Sequence, residues 1–211
     1  MNATLIYHKG NPHLSVSVYS GHFATRHSHN SHYIDITNMK HEHTMAREAA
    51  ITLAKRYAYD KGVDTIVCLD GSEVIGAFLA RHLAQKDVFA VNSNKNINVI
   101  TPEYDSNGQL IFRDNLIPMV AEKDVLLLIS TVNSGKTARR ALECVEYYGG
   151  RVQGIASVFS VQENVAGTPV YSLFTPEDIP GYSTNALKTC TMCAKGQKID
   201  ALSNSYGFSL L

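Results

Sequence analysis

Apolar positions change their period from one stretch of the chain to the next, and that alternation predicts the elements. Met45, Ala49, Leu53 and Tyr57 recur every four residues, one face of a helix that Lys61-Gly62 stops. Thr65-Ile-Val-Cys-Leu69 is an unbroken apolar run, a short buried strand that ends at Asp70-Gly71. Ser72 stands where an N-cap belongs, ahead of a helix whose Ile75, Phe78, Leu79 and Leu83 share a face. Val88-Phe-Ala-Val91 predicts another short strand, and Ile97 to Phe112 a β-hairpin turned at Asn107-Gly108. Val125 to Ile129 is the most apolar strand. A loop from Ser130 to Gly135 follows it, then a helix with Ala138, Ala141, Leu142 and Val145 inward, closed by Gly149-Gly150. Val152 to Phe159 and Pro169 to Phe174 predict the last strands. Strands alternating with helices mean an α/β fold, a mostly parallel, doubly wound sheet with ligands outside the carboxyl ends of its strands.

Composition narrows the partners. The chain has 211 residues, room for one generous domain or a domain with a small appendage. Apolar residues are 45% and charged residues 18%, which supports a packed core. Lys+Arg and Asp+Glu are equal at 19 each, without the basic excess of a nucleic-acid binder that works by counterion release. No apolar run approaches the length of a membrane span, and the first residues lack the pattern of a signal peptide, so a cytoplasmic protein is expected. Eight of the nine histidines fall in the first 43 residues, which marks off an N-terminal segment. The division expected is 1–44, an α/β core over 45–180, and a tail over 181–211.

The chemistry concentrates at Ser130-Thr-Val-Asn-Ser-Gly-Lys-Thr137. An apolar strand ends there, a loop of small residues turns, and a helix begins at once. Such a loop aims backbone N–H groups at one point, where the helix dipole adds positive potential; it is an anion site, most naturally for phosphate. Ser134, Lys136 and Thr137 add donors. The stretch fits the Walker A spacing except that Ser130 replaces its first glycine, and no later strand ends in an aspartate for magnesium. A P-loop nucleotide hydrolase is therefore a lesser alternative.

Asn133-Ser134-Gly135-Lys136-Thr137 also resembles the small, phosphate-cradling half of the phosphoribosyl pyrophosphate loop of type I phosphoribosyltransferases. The likeness extends along the chain. Ser20-Gly-His-Phe23, Arg26-His-Ser-His-Asn-Ser31 and Tyr33-Ile-Asp35 resemble the N-terminal substrate segment of the orotate enzymes in that family. Phe112-Arg113 falls beside its mobile catalytic hairpin, and Cys190-x-x-Cys193-x-x-Gly196 is similar to the tail of one of its branches. The resemblance implies a core with a small hood made from both ends of the chain, and a homodimer. It implies transfer of phosphoribosyl from phosphoribosyl pyrophosphate, with Mg2+, to a pyrimidine-type base. Ser130, Thr131 and Asn133 to Thr137 would hold the phosphates, with Asp70, Gly71 and Ser72 from the other side; Phe23, Arg26, Tyr33 and Arg113 would face the base. The alternative is a non-catalytic protein that binds a phosphoribosyl compound or nucleotide, because the family's two acids at the strand end are here Ile129 and Ser130. Those acids hold the ribose hydroxyls and favour a cationic transition state, and their loss removes electrostatic stabilisation where charge develops. The orotate-gripping arginine expected near Val161-Gln162 is also absent.

Two further groups invite a metal reading. His27 and His29 alternate, as do His41 and His43, so each pair would share a strand face, but no neighbouring cysteine completes a ligand set. Cys190 and Cys193 supply half of a tetrahedral site, and their flanks offer no third ligand. Substrate-facing histidines and a pair of packed, reduced thiols are the expectation, with no metal.

Overall fold

The computed structural model describes residues 2–211. β1 (Ala3–His8) and β2 (Asn11–Ala24) form an antiparallel pair, and β3 (Ser28–Asp35) adds to β2 across a bulge between Ser20 and Phe23. A short α1 (Thr37–His41) leads into α2 (His43–Tyr57), whose Ala46, Ala49, Ala50, Leu53 and Tyr57 are buried. β4 (Thr65–Leu69) and α3 (Glu73–Leu83) follow, then β5 (Asn98–Ile100) and a small arm of β6 (Glu103–Tyr104) and β7 (Leu110–Ile111). β8 (Asp124–Val132), α4 (Lys136–Tyr147), β9 (Arg151–Ser160), β10 (Asn164–Val165) and β11 (Thr168–Phe174) complete the core. The tail holds β12 (Thr184–Ala186), a one-turn α5 (Thr191–Ala194), β13 (Ala201–Asn204) and β14 (Gly207–Leu210).

The core sheet has the order β10-β11-β9-β8-β4-β5, and every pairing in it is parallel except that of β10 with β11. β8 lies at its centre and is buried on both faces. Leu126 and Leu128 point into the apolar cluster shared with α2 and α3; Val125, Leu127 and Ile129 point into the one shared with α4. A second sheet, the hood, has the order β12-β3-β2-β13-β14 with β1 beside β2. Strands from both ends of the chain thus form one surface, and its Leu14, Val16 and Val18 pack in the same cluster as α2.

Several expectations are corrected. Val88 to Val91 is no strand: β5 already occupies the edge beside β4, and the Asp87 side chain turns the segment by accepting the Phe89 N–H at 2.9 Å. Val88 and Phe89 are left exposed. The hairpin is shorter than 97–112, because 98–100 pairs with β4 instead; its turn is set by Asp105, whose carboxylate accepts the Asn107 and Gln109 N–H groups at 2.8 Å each. Ser72 does not cap α3, since its hydroxyl donates to the Leu128 carbonyl at 3.0 Å. Strand β8 runs three residues beyond Ile129, because Thr131 and Val132 pair with Phe159 and Ser160. His41 and His43 lie in helices, so strand alternation does not apply to them.

Gly76 is where α3 comes closest to the sheet. A Cβ there would fall on the Cys68 Sγ and within 3.2 Å of Val99 Cγ1. Gly76→Ala should therefore destabilise the chain by about 1–3 kcal/mol in thermal or urea unfolding, the ordinary cost of overpacking. The double variant with Cys68→Ala should recover much of that loss; equal stability of the single variant and the unaltered chain would contradict this packing.

Candidate functional site

At the carboxyl end of β8 the chain turns through Asn133, Ser134 and Gly135 and enters α4. Gly135 has φ +73°, a left-handed conformation that a side chain strains. A Cβ there would also press on Val165 Cγ2 at 3.3 Å. No side chain caps α4, so its first N–H groups and the positive end of its dipole are free to act on the space ahead. The loop is held from behind: Gln162 Nε2 donates to the Asn133 carbonyl at 3.0 Å, and the Tyr182 hydroxyl donates to Asn133 Oδ1 at 3.3 Å. Gln162, where an arginine was sought, thus positions the loop.

This loop forms one end of a cleft of about 200 Å³. Thr131 to Ala138 line it from the core, Thr25 to Ser28 and Asn30 from the hood, and Ser203 to Ser205 from the β13–β14 turn. Arg26 and Lys136 stand on its rim, and neither joins an ion pair among the described residues; the same holds for Arg140. The field of these cations is felt at His27, whose imidazolium is disfavoured first by burial and then by Lys136, Arg26 and Arg140. Cations without partners, converging beside a free helix N-terminus, make an anion site.

Elsewhere the cleft is aromatic. The rings of His32 and Tyr182 stack with centroids 6.1 Å apart, and Phe159 lies 5.1 Å from Tyr182. Burial disfavours the His32 imidazolium, raises the Tyr182 hydroxyl, and pushes Tyr33 up to about 12. Asn30 also lines the cleft, and its buried Oδ1 has no hydrogen-bond partner among the described residues. The carboxylate on the cleft wall is Asp70. Its residue has φ +58°, burial raises its carboxyl above the usual range, and Lys40 opposes that shift. Lys40, itself buried, donates to the Ser205 carbonyl and so ties α1, the Asp70 turn and the tail together.

Of the residues singled out in the sequence, Thr131, Asn133, Ser134, Gly135, Lys136, Thr137, Asp70, Arg26 and Tyr33 line this cleft. Five do not. Ser130 is fully buried and donates to the Asp70 carbonyl at 3.0 Å; Ser72 is likewise buried beneath β8. Gly71 sits against Lys40. Phe23 is buried within the hood, packed on Tyr33 and Phe208. Arg113 is on the outer arm, paired with Glu103 at 2.8 Å, because strand pairing of β6 with β7 holds the two side by side. His32, Asn30, Tyr182 and Ser203 to Ser205 were not singled out as ligand residues; Asn30 lies within the Arg26–Ser31 segment and His32 follows it directly, which was a usable signal, whereas the tail offered none.

No family model and no curated sequence matches the chain. Solved structures do. Orotate phosphoribosyltransferase of Mycobacterium tuberculosis superposes with a TM-score of 0.51 at 16% identity, over 71% of this chain and 83% of that one. Adenine phosphoribosyltransferase of Trypanosoma brucei, bound to AMP, pyrophosphate and ribose-5-phosphate, gives 0.53 at 13% identity over 86% and 90%. UMP synthase of Leishmania donovani gives 0.56 at 17% identity, over 77% of this chain but 34% of that longer one. The fold is that of the type I phosphoribosyltransferases, with a mostly parallel core sheet.

Inorganic pyrophosphate should bind in this cleft. Lys136→Ala removes a charge-assisted contact of about 1.5–3 kcal/mol, roughly ten- to a hundredfold in affinity by calorimetry. Gly135→Val should weaken binding as well, through strain and crowding at Val165. Unchanged affinity in both variants would remove the loop from the site.

Proposed function

We propose that the chain binds a phosphoribosyl ligand, phosphoribosyl pyrophosphate or a nucleotide, and that transfer to a pyrimidine-type base such as orotate is slow or lost. The observation that carries this reading is the pairing of a phosphate-shaped loop with an uncharged strand end. Lys136, Arg26 and the start of α4 offer an anion positive charge and N–H donors, while a planar base would meet the His32 and Tyr182 rings. Ile129 is buried in the cluster on the α4 side, and the Ser130 hydroxyl is committed to Asp70. Neither can hold ribose hydroxyls or face a developing oxocarbenium ion.

Asp70 on the cleft wall is the carboxylate that a magnesium ion would find there, in place of an acid pair. Such a donor set suits an ion carried in by pyrophosphate oxygens rather than one held by the chain. A second reading rests on the same residue. Asp70 lines the cleft beside Ser130, so its carboxylate can take over the countercharge and sustain an ordinary transferase.

One assay separates them. With phosphoribosyl pyrophosphate, magnesium and orotate, the chain should bind the first and turn over far below the usual range of about 1–1000 per second. Ser130→Asp, alone and with Ile129→Glu, should raise the rate, with far-UV circular dichroism alongside because both positions are fully buried. Ordinary turnover that Asp70→Asn abolishes would overturn the first reading in favour of the second. Assembly as a symmetric homodimer through the β6–β7 arm belongs to the same proposal. Light scattering at micromolar concentration should give twice 23.2 kDa.

A further inference from the structure

Outside the cleft lining, four side chains from three separate segments converge: His22, His29, Cys190 and Cys193. All of their ligand atoms lie within 4.8 Å of one another. His22 Nε2 is 3.0 Å from His29 Nδ1, 3.6 Å from Cys190 Sγ and 3.7 Å from Cys193 Sγ, and Cys193 Sγ is 3.3 Å from His29 Nδ1. A tetrahedral zinc with Zn–N near 2.05 Å and Zn–S near 2.3 Å has edges of about 3.3 Å between nitrogens and about 3.6 Å from nitrogen to sulfur. These four of the six edges match those lengths to within a few tenths of an ångström, and the remaining two lie within the 4.8 Å limit of the cluster.

From this geometry we infer a structural Cys2His2 zinc site that fastens the C-terminal tail to the N-terminal strands. Each ligand is delivered by a recognisable device. His22 sits in the β2 bulge between Ser20 and Phe23, and a bulge re-aims a side chain that regular pleating would point elsewhere. Its Nδ1 lies 3.1 Å from the Gln197 carbonyl and 3.1 Å from the Lys198 carbonyl. Carbonyls only accept, so the proton resides on Nδ1 and the Nε2 lone pair faces the cluster, the outer-shell arrangement that zinc-bound histidines use. His29 is in β3, paired with Ala24 and Asn185. His27, by contrast, precedes β3 in the Thr25–Ser28 turn, so the two do not share a face and His27 faces the cleft instead. Cys190 is the N-cap of the single turn of α5 and Cys193 lies within it; Gly196 follows with φ +73°, its N–H donating to the Cys193 carbonyl at 2.9 Å. His22, His29 and Cys190 are buried, and Cys193 closes the set at the surface.

Four protein ligands leave zinc no open position, so the role is architectural rather than catalytic. The tail needs such a fastening. β13 joins β2 through two residue pairs only, Ala201 with Phe23 and Leu202 with Ala24. Beside them, the His22 N–H donates to Asp200 Oδ2 at 2.7 Å, and the Asp200 N–H returns to the His22 carbonyl at 2.9 Å. Yet this tail carries Ser203 to Ser205 to the wall of the cleft. A zinc joining residues 171 positions apart would hold that wall in place, and its binding free energy would become folding free energy.

The test uses the full chain, purified without a histidine tag. Elemental analysis should find one zinc per chain. After chelation, Co2+ titrated into the unaltered protein should give the intense visible bands of a tetrahedral thiolate site, bleached by one equivalent of Zn2+. Chelation should lower the melting temperature by several degrees and expose the tail to protease. Cys193→Ser, at the exposed ligand, and His29→Ala should abolish both the stoichiometric zinc and the cobalt bands, while His13→Ala keeps them. A folded chain that gives no tetrahedral cobalt spectrum and binds less than stoichiometric zinc overturns the site. So does a Cys190–Cys193 disulfide found in protein purified without oxidant.

Discussion

The central strand β8 has no solvent face, and most of the architecture follows from that constraint. Its residues alternate between two apolar clusters, Leu126 and Leu128 toward α2 and α3, Val125, Leu127 and Ile129 toward α4. A parallel strand covered on both sides must be reached by crossover helices, and its carboxyl end then opens at the edge of the sheet where those helices begin. The turn through Asn133 to Gly135 is short because α4 has to return at once to cover the strand. The same economy leaves the start of α4 uncapped, with its N–H groups directed at the cleft.

Charge at that point is arranged by subtraction as much as by addition. Arg26, Lys136 and Arg140 join none of the ion pairs among the described residues, and the one acid on the cleft wall, Asp70, is pushed toward its neutral form by burial. An anion therefore meets little competition. At the strand end itself, the pleat sends Ile129 into the core, and Ser130 spends its hydroxyl on the Asp70 carbonyl. The cleft thus presents positive charge outside the ion pairs, and Asp70 is the one acid among the described residues that line it.

The hood adds the second wall, and it does so by joining the two ends of the chain. β2 and β3 bring Arg26, Asn30 and His32; β12 pairs with β3 on one side, and β13 with β2 on the other. Phe23, Tyr33 and Phe208 pack together across that junction. Lys40 reaches Ser205 at one end of the tail, and the histidine–cysteine cluster grips it at the other. Cleft shape and tail docking are thereby parts of one arrangement.

Elements whose apolar period is continuous were legible in the sequence by itself: β4 at Thr65–Leu69, the inward faces of α2, α3 and α4, and the loop at Asn133 to Thr137 with its demand for glycine. Local pattern suffices there because each element buries its own stripe and each turn satisfies its own backbone. Val88 to Val91 shows where that fails, since an apolar tetrapeptide becomes a strand only if an edge is free to receive it. Phe23 and Arg113 show the same limit for the site: one was claimed by aromatic packing inside the hood, the other by Glu103 across the arm. Cys190 and Cys193 read as half a site because their partners stand 161 or more residues away, counted from Cys190 to His29, on strands whose meeting with the tail no local period encodes. The pairings of β2 with β13 and of β3 with β12, contacts between opposite ends of the chain, bring His22 and His29 to them.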